Sequence, residues 1–182
     1  MAGPEPQPNP GRTAAPIELV PVGPVDPTIL DALRPELGRR FDTVVRTGVS
    51  VPLRPEWCDP TRGQYRADPI LDLLVEREDG AHWILGIADV DLFAPGLNFI
   101  FGQATVGGCC AIIGLARLRP EFHGHSPDPD LFRRRTLTEA VHELGHIAGL
   151  KHCPNPECVM HFSHTLEDTD RKGPDFCGRC SP

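Results

Sequence analysis

The sequence predicts an α/β fold of the α+β type, in which helices pack on a small mixed β-sheet and the C-terminal part is rich in loops. Two observations support this prediction. Apolar runs of strand length alternate with helical patterns up to residue 118, and a cysteine-rich segment with few apolar residues follows residue 152. A length of 182 residues and a hydrophobic content of 40% suit one domain with its own core, expected over residues 16–182.

The first part of the chain contains two predicted strands and two predicted helices. Residues 16–22 form a strand-like run whose prolines favour a sheet edge, and residues 42–51 form a second one. Asp26 is a suitable N-cap for a helix because proline follows it and leucines then recur at helical spacing. The apolar spacing within residues 65–76 indicates the second helix.

The next part of the chain contains three predicted strands. Residues 82–90 form a nearly continuous apolar run, which is typical of a strand buried on both faces. Residues 97–104 and 108–118 follow as two further strands, and the adjacent glycines 107 and 108 permit a tight turn between them. These runs predict the central sheet.

A helix is predicted immediately before residue 149. It begins either at Asp128, an N-cap followed by proline, or at Thr136, where TLTE has the spacing of a capping box. The longer helix is the favoured interpretation. After it we expect little regular structure.

The segment HELGHIAGLKHC lies at the end of this helix and carries the strongest chemical signal. His142 and His146 are one helical turn apart, so both rings leave the same face and can bind one zinc ion. Glu143 is placed to reach water at that ion. Gly149 can turn the chain sharply, so that His152 becomes a third ligand. Three imidazoles leave one position open, which is typical of a catalytic zinc site.

A second metal site is indicated by four cysteines in the last thirty residues. Their C-x4-C and C-x2-C spacing suits a closed, structural zinc ion bound by Cys153, Cys158, Cys177 and Cys180. A metal ion would supply folding energy to a tail, residues 153–182, that has few apolar residues. Two disulfides or unpaired thiols are the alternative.

Four residues outside these clusters also have predicted roles. Met160 follows Cys158 closely, and we expect its soft apolar side chain beneath the histidine ligands. Cys58, Cys109 and Cys110 have no partner at metal-ligand spacing and are predicted to be buried as small apolar residues.

Composition limits the classes of partner. The net charge of −7 gives no reason to expect binding to nucleic acid or to an anionic membrane, and no apolar stretch has the length of a membrane span. Residues 1–15 are rich in proline, glycine and alanine, which predicts a disordered or extended lead. Since this lead does not have the pattern of a secretory signal, the expected location is cytoplasmic.

The motif HELGHIAGLKHC, the following CVM and the later FCGRC together resemble the archaemetzincins, or archaelysins, a branch of the metzincin zinc metallopeptidases. The resemblance implies a compact α/β domain divided by an active-site cleft, with a methionine turn at Met160 under the metal. It also implies a catalytic zinc ion on the three histidines, a second zinc ion on the four cysteines and Glu143 as general base. Some metzincins place a tyrosine soon after that methionine. His161 and His164 are the nearest candidates for its role here, although solvated loop histidines are the simpler interpretation.

The resulting hypothesis is a two-zinc metallopeptidase that hydrolyses peptide bonds with a zinc-activated water and Glu143 as general base. A peptide is expected to lie along an exposed strand, placed within residues 108–118. Whether the enzyme is an endopeptidase or an aminopeptidase stays open, and a monomer is favoured. The alternatives are a non-catalytic two-zinc module that binds proteins and a zinc hydrolase that acts on another bond.

Overall fold

A computed structural model of the chain describes residues 15–78 and 80–181. The predicted lead therefore lies, except for Ala15, outside the described residues. The helices are α1 (Pro27–Phe41), α2 (Ala67–Val75), α3 (Pro129–Ile147) and α4 (Leu166–Lys172). The strands are β1 (Ile17–Val22), β2 (Val45–Thr47), β3 (Cys58–Asp59), β4 (Gln64–Arg66), β5 (Trp83–Ala88), β6 (Leu92–Phe93), β7 (Gly102–Ala104) and β8 (Cys110–Gly114). Short 3₁₀ helices cover Pro55–Trp57, Ala116–Leu118 and Pro120–His123.

The main sheet has five strands in the order β2-β1-β5-β8-β7. The first four strands run parallel, whereas β7 pairs antiparallel with β8. A smaller sheet has the order β3-β4-β6. The mixed α/β architecture predicted from the sequence is therefore confirmed.

Helices cover both faces of the main sheet. On β5, Leu85 and Ile87 face one core that also contains the apolar residues of α1 and α3, while Ile84 and Ala88 face a second core built with α2. All six residues of β5 are buried. The continuous apolar run at residues 82–90 therefore reflects a central strand with helices on both sides, as predicted.

The longer interpretation of the third helix is confirmed. It begins at Pro129, and the Asp128 carboxylate accepts a hydrogen bond of 3.0 Å from the backbone N–H of Leu131. From Arg135 onward every residue of α3 is buried. The C-terminal half of this helix is thus held rigidly between the sheet and the C-terminal segment.

Several predicted elements have different bounds. Strand pairing within residues 42–51 and 97–104 covers only Val45–Thr47 and Gly102–Ala104, because the flanking residues form turns and bridges instead. The strand predicted at 108–118 ends at Gly114 and is followed by a 3₁₀ turn. Short edge strands carry few apolar residues, so their ends are poorly marked in the sequence.

Three further expectations are wrong. The first strand was expected at a sheet edge because of its prolines, but β1 pairs with β2 on one side and with β5 on the other. The C-terminal segment contains a helix, α4, whose capping box at Thr165 and Asp168 provides a sequence signal that we had not used. The strand within residues 108–118 is not an exposed edge, because β8 is paired on one side with β5 and on the other with β7. The edge strand on this side of the sheet is β7, and β2 is the edge strand on the other side. Among the described residues, no helix combines the length and the apolar character that crossing a membrane would need.

Candidate active site and metal centre

The end of α3 brings the three predicted histidines together. The ring nitrogens available to a metal on His142, His146 and His152 all lie within 4.8 Å of one another. We call these three residues the histidine cluster. The chain leaves the helix at Gly149, whose φ of 95° is unfavourable for other residues, and the backbone N–H of Leu150 donates to Gly145 O. This turn places His152 opposite the helix.

Backbone carbonyls determine which nitrogen of each helical histidine carries the proton. His142 Nδ1 lies 2.7 Å from Val159 O, and His146 Nδ1 lies 2.8 Å from Leu150 O. Since a carbonyl oxygen can only accept, both Nδ1 atoms carry hydrogen and both Nε2 atoms present lone pairs. His146 Nε2 is 3.2 Å from His152 Nε2. Nitrogens converging in this way fit a shared cation.

Burial keeps these rings neutral. It lowers the pKa of His142 well below the ordinary value, with the Lys172 charge adding to the effect, and it lowers the pKa of His152 to about 4. Zinc binds neutral imidazole, so the histidine cluster is in the protonation state that zinc requires. The donor set therefore fits a zinc ion.

Glu143 lies against the edge strand. A Cβ atom added at Gly102 in β7 would come within 2.6 Å of Glu143 Oε1, so only glycine allows this close approach. Burial raises the pKa of Glu143 well above the ordinary value for a carboxyl group, and the nearby Glu139 carboxylate raises it further. A buried carboxyl group with a raised pKa, close to converging metal ligands, has the properties of a general base.

Met160 lies beneath the histidine-bearing helix. Its side chain is fully buried, and a Cβ atom at Gly145 would overlap its sulfur. This is the position expected from the sequence. The absence of a side chain at Gly145 lets the methionine contact the helix between the two histidines.

The four C-terminal cysteines form a second group, the cysteine cluster, which consists of Cys153, Cys158, Cys177 and Cys180. Their sulfur atoms also lie within 4.8 Å of one another. All four thiols are free, and Cys153 Sγ lies 3.9 Å from Cys177 Sγ, far beyond the length of about 2.05 Å of a disulfide bond. The disulfide alternative therefore does not describe this structure.

One of these thiols already favours the thiolate form. Burial acts to raise the pKa of Cys177, but hydrogen bonds from the backbone N–H of Arg179 and from the Cys158 thiol lower it to about 6. Burial raises the pKa of Cys180 above the ordinary value. A bound cation would remove the protons that remain, as thiolate ligation requires.

A cavity of about 460 Å³ opens beside the histidine cluster. It is lined by the segment 97–102, by residues of α3 and by residues 162–164 in the loop after Met160. We call this cavity the cleft. His164 is one of its lining residues, whereas His161 is not, because its Nδ1 instead contacts Cys153 O at 3.0 Å. His164 is thus the better placed of the two candidates for the missing tyrosine.

Sequence reasoning missed a buried charge pair at the rear of the cleft. Lys172 Nζ in α4 lies 3.2 Å from Glu139 Oε1 in α3, and both side chains are almost fully buried. The hydroxyl of Thr169 donates to the same oxygen at 2.9 Å, and Lys172 also donates to His161 O. The position of Glu139 one turn before Glu143 was a usable signal, but nothing in the sequence singled out Lys172.

Cys58, Cys109 and Cys110 stay outside both clusters. Cys110 is buried in β8, as expected, whereas Cys58 and Cys109 are only partly buried. Cys109 Sγ lies 3.4 Å from Cys110 Sγ. The prediction of three buried thiols is therefore correct only for Cys110.

Comparison with known proteins agrees with this geometry. The family described as "Peptidase family M54" matches residues 47–182. The archaemetzincin of Pyrococcus furiosus is 43% identical over 171 residues, covering 90% of this chain and 89% of that protein, and that of Methanocaldococcus jannaschii is 41% identical over 163 residues, with 89% and 88% covered.

Solved structures of archaemetzincins are also similar to this chain. The crystal structure of archaemetzincin from Methanopyrus kandleri superposes with a TM-score of 0.82 at 38% identity, covering 93% of this chain and 92% of that one. The crystal structure from Archaeoglobus fulgidus, complexed with malonate, gives a TM-score of 0.79 at 34% identity, with 91% and 97% covered. These similarities extend over the fold and both clusters, and this chain belongs to peptidase family M54, the archaemetzincins, which are zinc metallopeptidases.

Proposed function

We propose that the histidine cluster holds the catalytic zinc ion and that Glu143 is the general base for hydrolysis of a peptide bond. The observation that supports this most directly is the convergence of His142, His146 and His152 beside a buried carboxyl group at the floor of a cleft. When bound, the zinc ion supplies a Lewis acid that makes water more acidic and polarises the carbonyl group of the substrate.

The protein groups perform the proton transfers in this mechanism. Glu143 accepts a proton from the attacking water and delivers it to the leaving amine, and the burial that raises its pKa makes its carboxylate a stronger base. The absence of a side chain at Gly102 leaves room for this carboxyl group beside β7. The hydrogen bonds from the Nδ1 atoms of His142 and His146 keep the two rings oriented towards the metal position.

The edge strand β7 is the proposed docking site of the peptide backbone. It pairs with β8 on one side only, and it lies directly beside Glu143. An extended peptide that adds to this edge would satisfy the free backbone groups and lie across the cleft. This replaces the earlier assignment of the docking strand to residues 108–118, because β8 is paired on both sides.

We also propose a structural zinc ion in the cysteine cluster. Four sulfurs within 4.8 Å suit a closed tetrahedral site, and none of the four lies in a described helix or strand. Cys153 follows His152 directly, and its backbone N–H donates to Met160 O at 2.9 Å. A metal in this cluster would therefore fix both the third histidine and the methionine turn.

Replacement of the general base tests the catalytic proposal. We expect Glu143→Ala to retain its zinc content and to lose about 10²–10⁴-fold in the rate of peptide hydrolysis, because general base catalysis contributes that much. Glu121→Gln is a matched control, since Glu121 is an exposed acid outside the cleft. Activity on a peptide library is measured by mass spectrometry and zinc by elemental analysis.

Two outcomes would contradict the proposal. Peptide hydrolysis at the wild-type rate in Glu143→Ala would remove Glu143 from the mechanism. Hydrolysis of esters or other amides with no peptide cleaved by the wild-type protein would favour a zinc hydrolase that acts on another bond.

A further inference from the structure

The lining of the cleft includes a polar side chain that the proposed mechanism does not use. Ser163 lies in the loop 161–165, between Met160 and α4, and it lines the cleft together with His142 and Glu143. Because Ser163 lines the same cavity as Glu143, the proposed general base, a peptide bound in this cavity would lie near Ser163.

The hydroxyl oxygen of Ser163 is buried and has no hydrogen-bond partner among the described residues. Burying such a group without a partner is unfavourable, and nearly all buried hydroxyl groups in proteins are paired. Because this one lines the cleft, an arriving substrate can supply the partner. The unpaired state is then a property of the free protein alone.

Contacts on both sides hold the loop 161–165 in place. Lys172 donates to the carbonyl oxygen of His161 at 3.3 Å, and the backbone N–H groups of His164 and Thr165 each donate to Asp168 Oδ2 at 3.1 Å. The ring of Phe162 also packs against His152, with centroids 4.9 Å apart. The backbone that carries Ser163 is therefore held in place, and rotation of the side chain about its Cα–Cβ bond is the movement that would bring the hydroxyl to a ligand in the cleft.

The chemistry of the cleft explains which substrate group Ser163 would bind. Glu139 is paired with Lys172 and Glu143 is assigned to proton transfer, so neither is free to bind a peptide carbonyl oxygen. The side chains of Asn98 and His164 can donate, but both residues are exposed to solvent. Among the described cleft residues, Ser163 is the neutral donor whose polar atom is buried and unpaired.

We infer that the hydroxyl of Ser163 binds the peptide substrate by donating a hydrogen bond to a backbone carbonyl oxygen. This inference rests on the proposed function, because it takes the cleft as the place where the peptide lies. A peptide would then be held by two kinds of contact, backbone pairing with β7 and a hydrogen bond from Ser163.

Ser163→Ala tests the inference, with Ser126→Ala as the matched control on an exposed loop. We expect kcat/KM for peptide hydrolysis to fall about tenfold in Ser163→Ala and to stay unchanged in Ser126→Ala. The unfolding midpoint of the free Ser163→Ala protein should be equal to or above that of the wild type, because the change removes an unpaired buried hydroxyl. A structural role, by contrast, would lower the midpoint. A lower midpoint, or kcat/KM equal to that of the control, overturns the inference.

A binding measurement separates this inference from the proposed function. Calorimetry of the zinc-loaded protein with a peptide hydroxamate requires no turnover. We expect about tenfold weaker binding to Ser163→Ala than to Ser126→Ala, and equal affinities contradict the role of Ser163 even if the wild type hydrolyses peptides. Absence of hydrolysis by the wild type would refute the proposed function, while the affinity comparison would still decide the role of Ser163.

Discussion

In the histidine cluster two of the three nitrogens come from one buried helix, whereas all four sulfurs of the cysteine cluster come from segments outside the described helices and strands. Helix α3 and its hydrogen bonds orient the imidazoles before any metal binds. The four thiols of the cysteine cluster are carried by loops, so no described helix or strand fixes their positions relative to one another. With the roles proposed above, the comparison teaches that the fold organises the catalytic site, whereas the structural metal organises the fold around it.

The two clusters also differ in charge and access. The histidines are neutral, His142 lines a cleft of about 460 Å³ and His152 is exposed, as a site that admits water and substrate requires. The cysteine cluster is largely buried and contains a thiol, Cys177, with a pKa of about 6. Neutral ligands leave the bound metal electrophilic, whereas thiolates neutralise it.

The largest expected effect is a loss of stability on changing the cysteine cluster, in contrast to a loss of activity on changing the histidine cluster. Cys177→Ser should lower the free energy of unfolding by about 5 kcal/mol, because the proposed structural zinc ion would supply folding free energy to the tail. His146→Ala should abolish peptide hydrolysis with a much smaller loss of stability. Elemental analysis should find two zinc ions in the wild type and one in each variant, and denaturant titration measures stability. Equal stability losses in the two variants would contradict the comparison.

A loss of stability of intermediate size is expected from the ion pair that joins α4 to α3. Lys172→Met leaves the carboxylate of Glu139 buried without its partner, which should cost about 3–5 kcal/mol of unfolding free energy. The double variant Glu139→Gln and Lys172→Met removes both charges and should recover most of that loss. Urea unfolding of both proteins gives the coupling energy. No recovery in the double variant would show that the two charges act independently.

The smallest expected effect concerns the turn that presents the third histidine. Gly149→Ala should lower the free energy of unfolding by roughly 1–2 kcal/mol, because the φ of 95° at this residue is unfavourable for alanine. It should also lower kcat, because relaxation of the strained turn would move His152. Gly63→Ala is the matched control. It also has positive φ, at 65°, but lies outside the cleft, so it should lose stability and keep its kcat. Equal kcat values in the two variants would show that the turn does not position His152.

The sequence predicted both clusters because each depends on short, local spacing. His142 and His146 share a face of any helix, and Gly149 ends that helix for conformational reasons that operate within one turn. The bounds of short strands could not be predicted in the same way, because pairing with distant residues decides them. The edge position of β7 is an example, since it follows only from the pairing of β8 with β5.

Chemical identity and ligand spacing were therefore determined by the sequence alone: three imidazoles and a carboxyl group at the end of one helix, and four thiols in the tail. Only the tertiary structure decided what surrounds them. It brought Lys172 to Glu139, placed Ser163 on the wall of the cleft and left β7 at the sheet edge. The physical reason is that ligand spacing depends on local backbone geometry, whereas burial, pairing and cleft shape depend on contacts between distant parts of the chain.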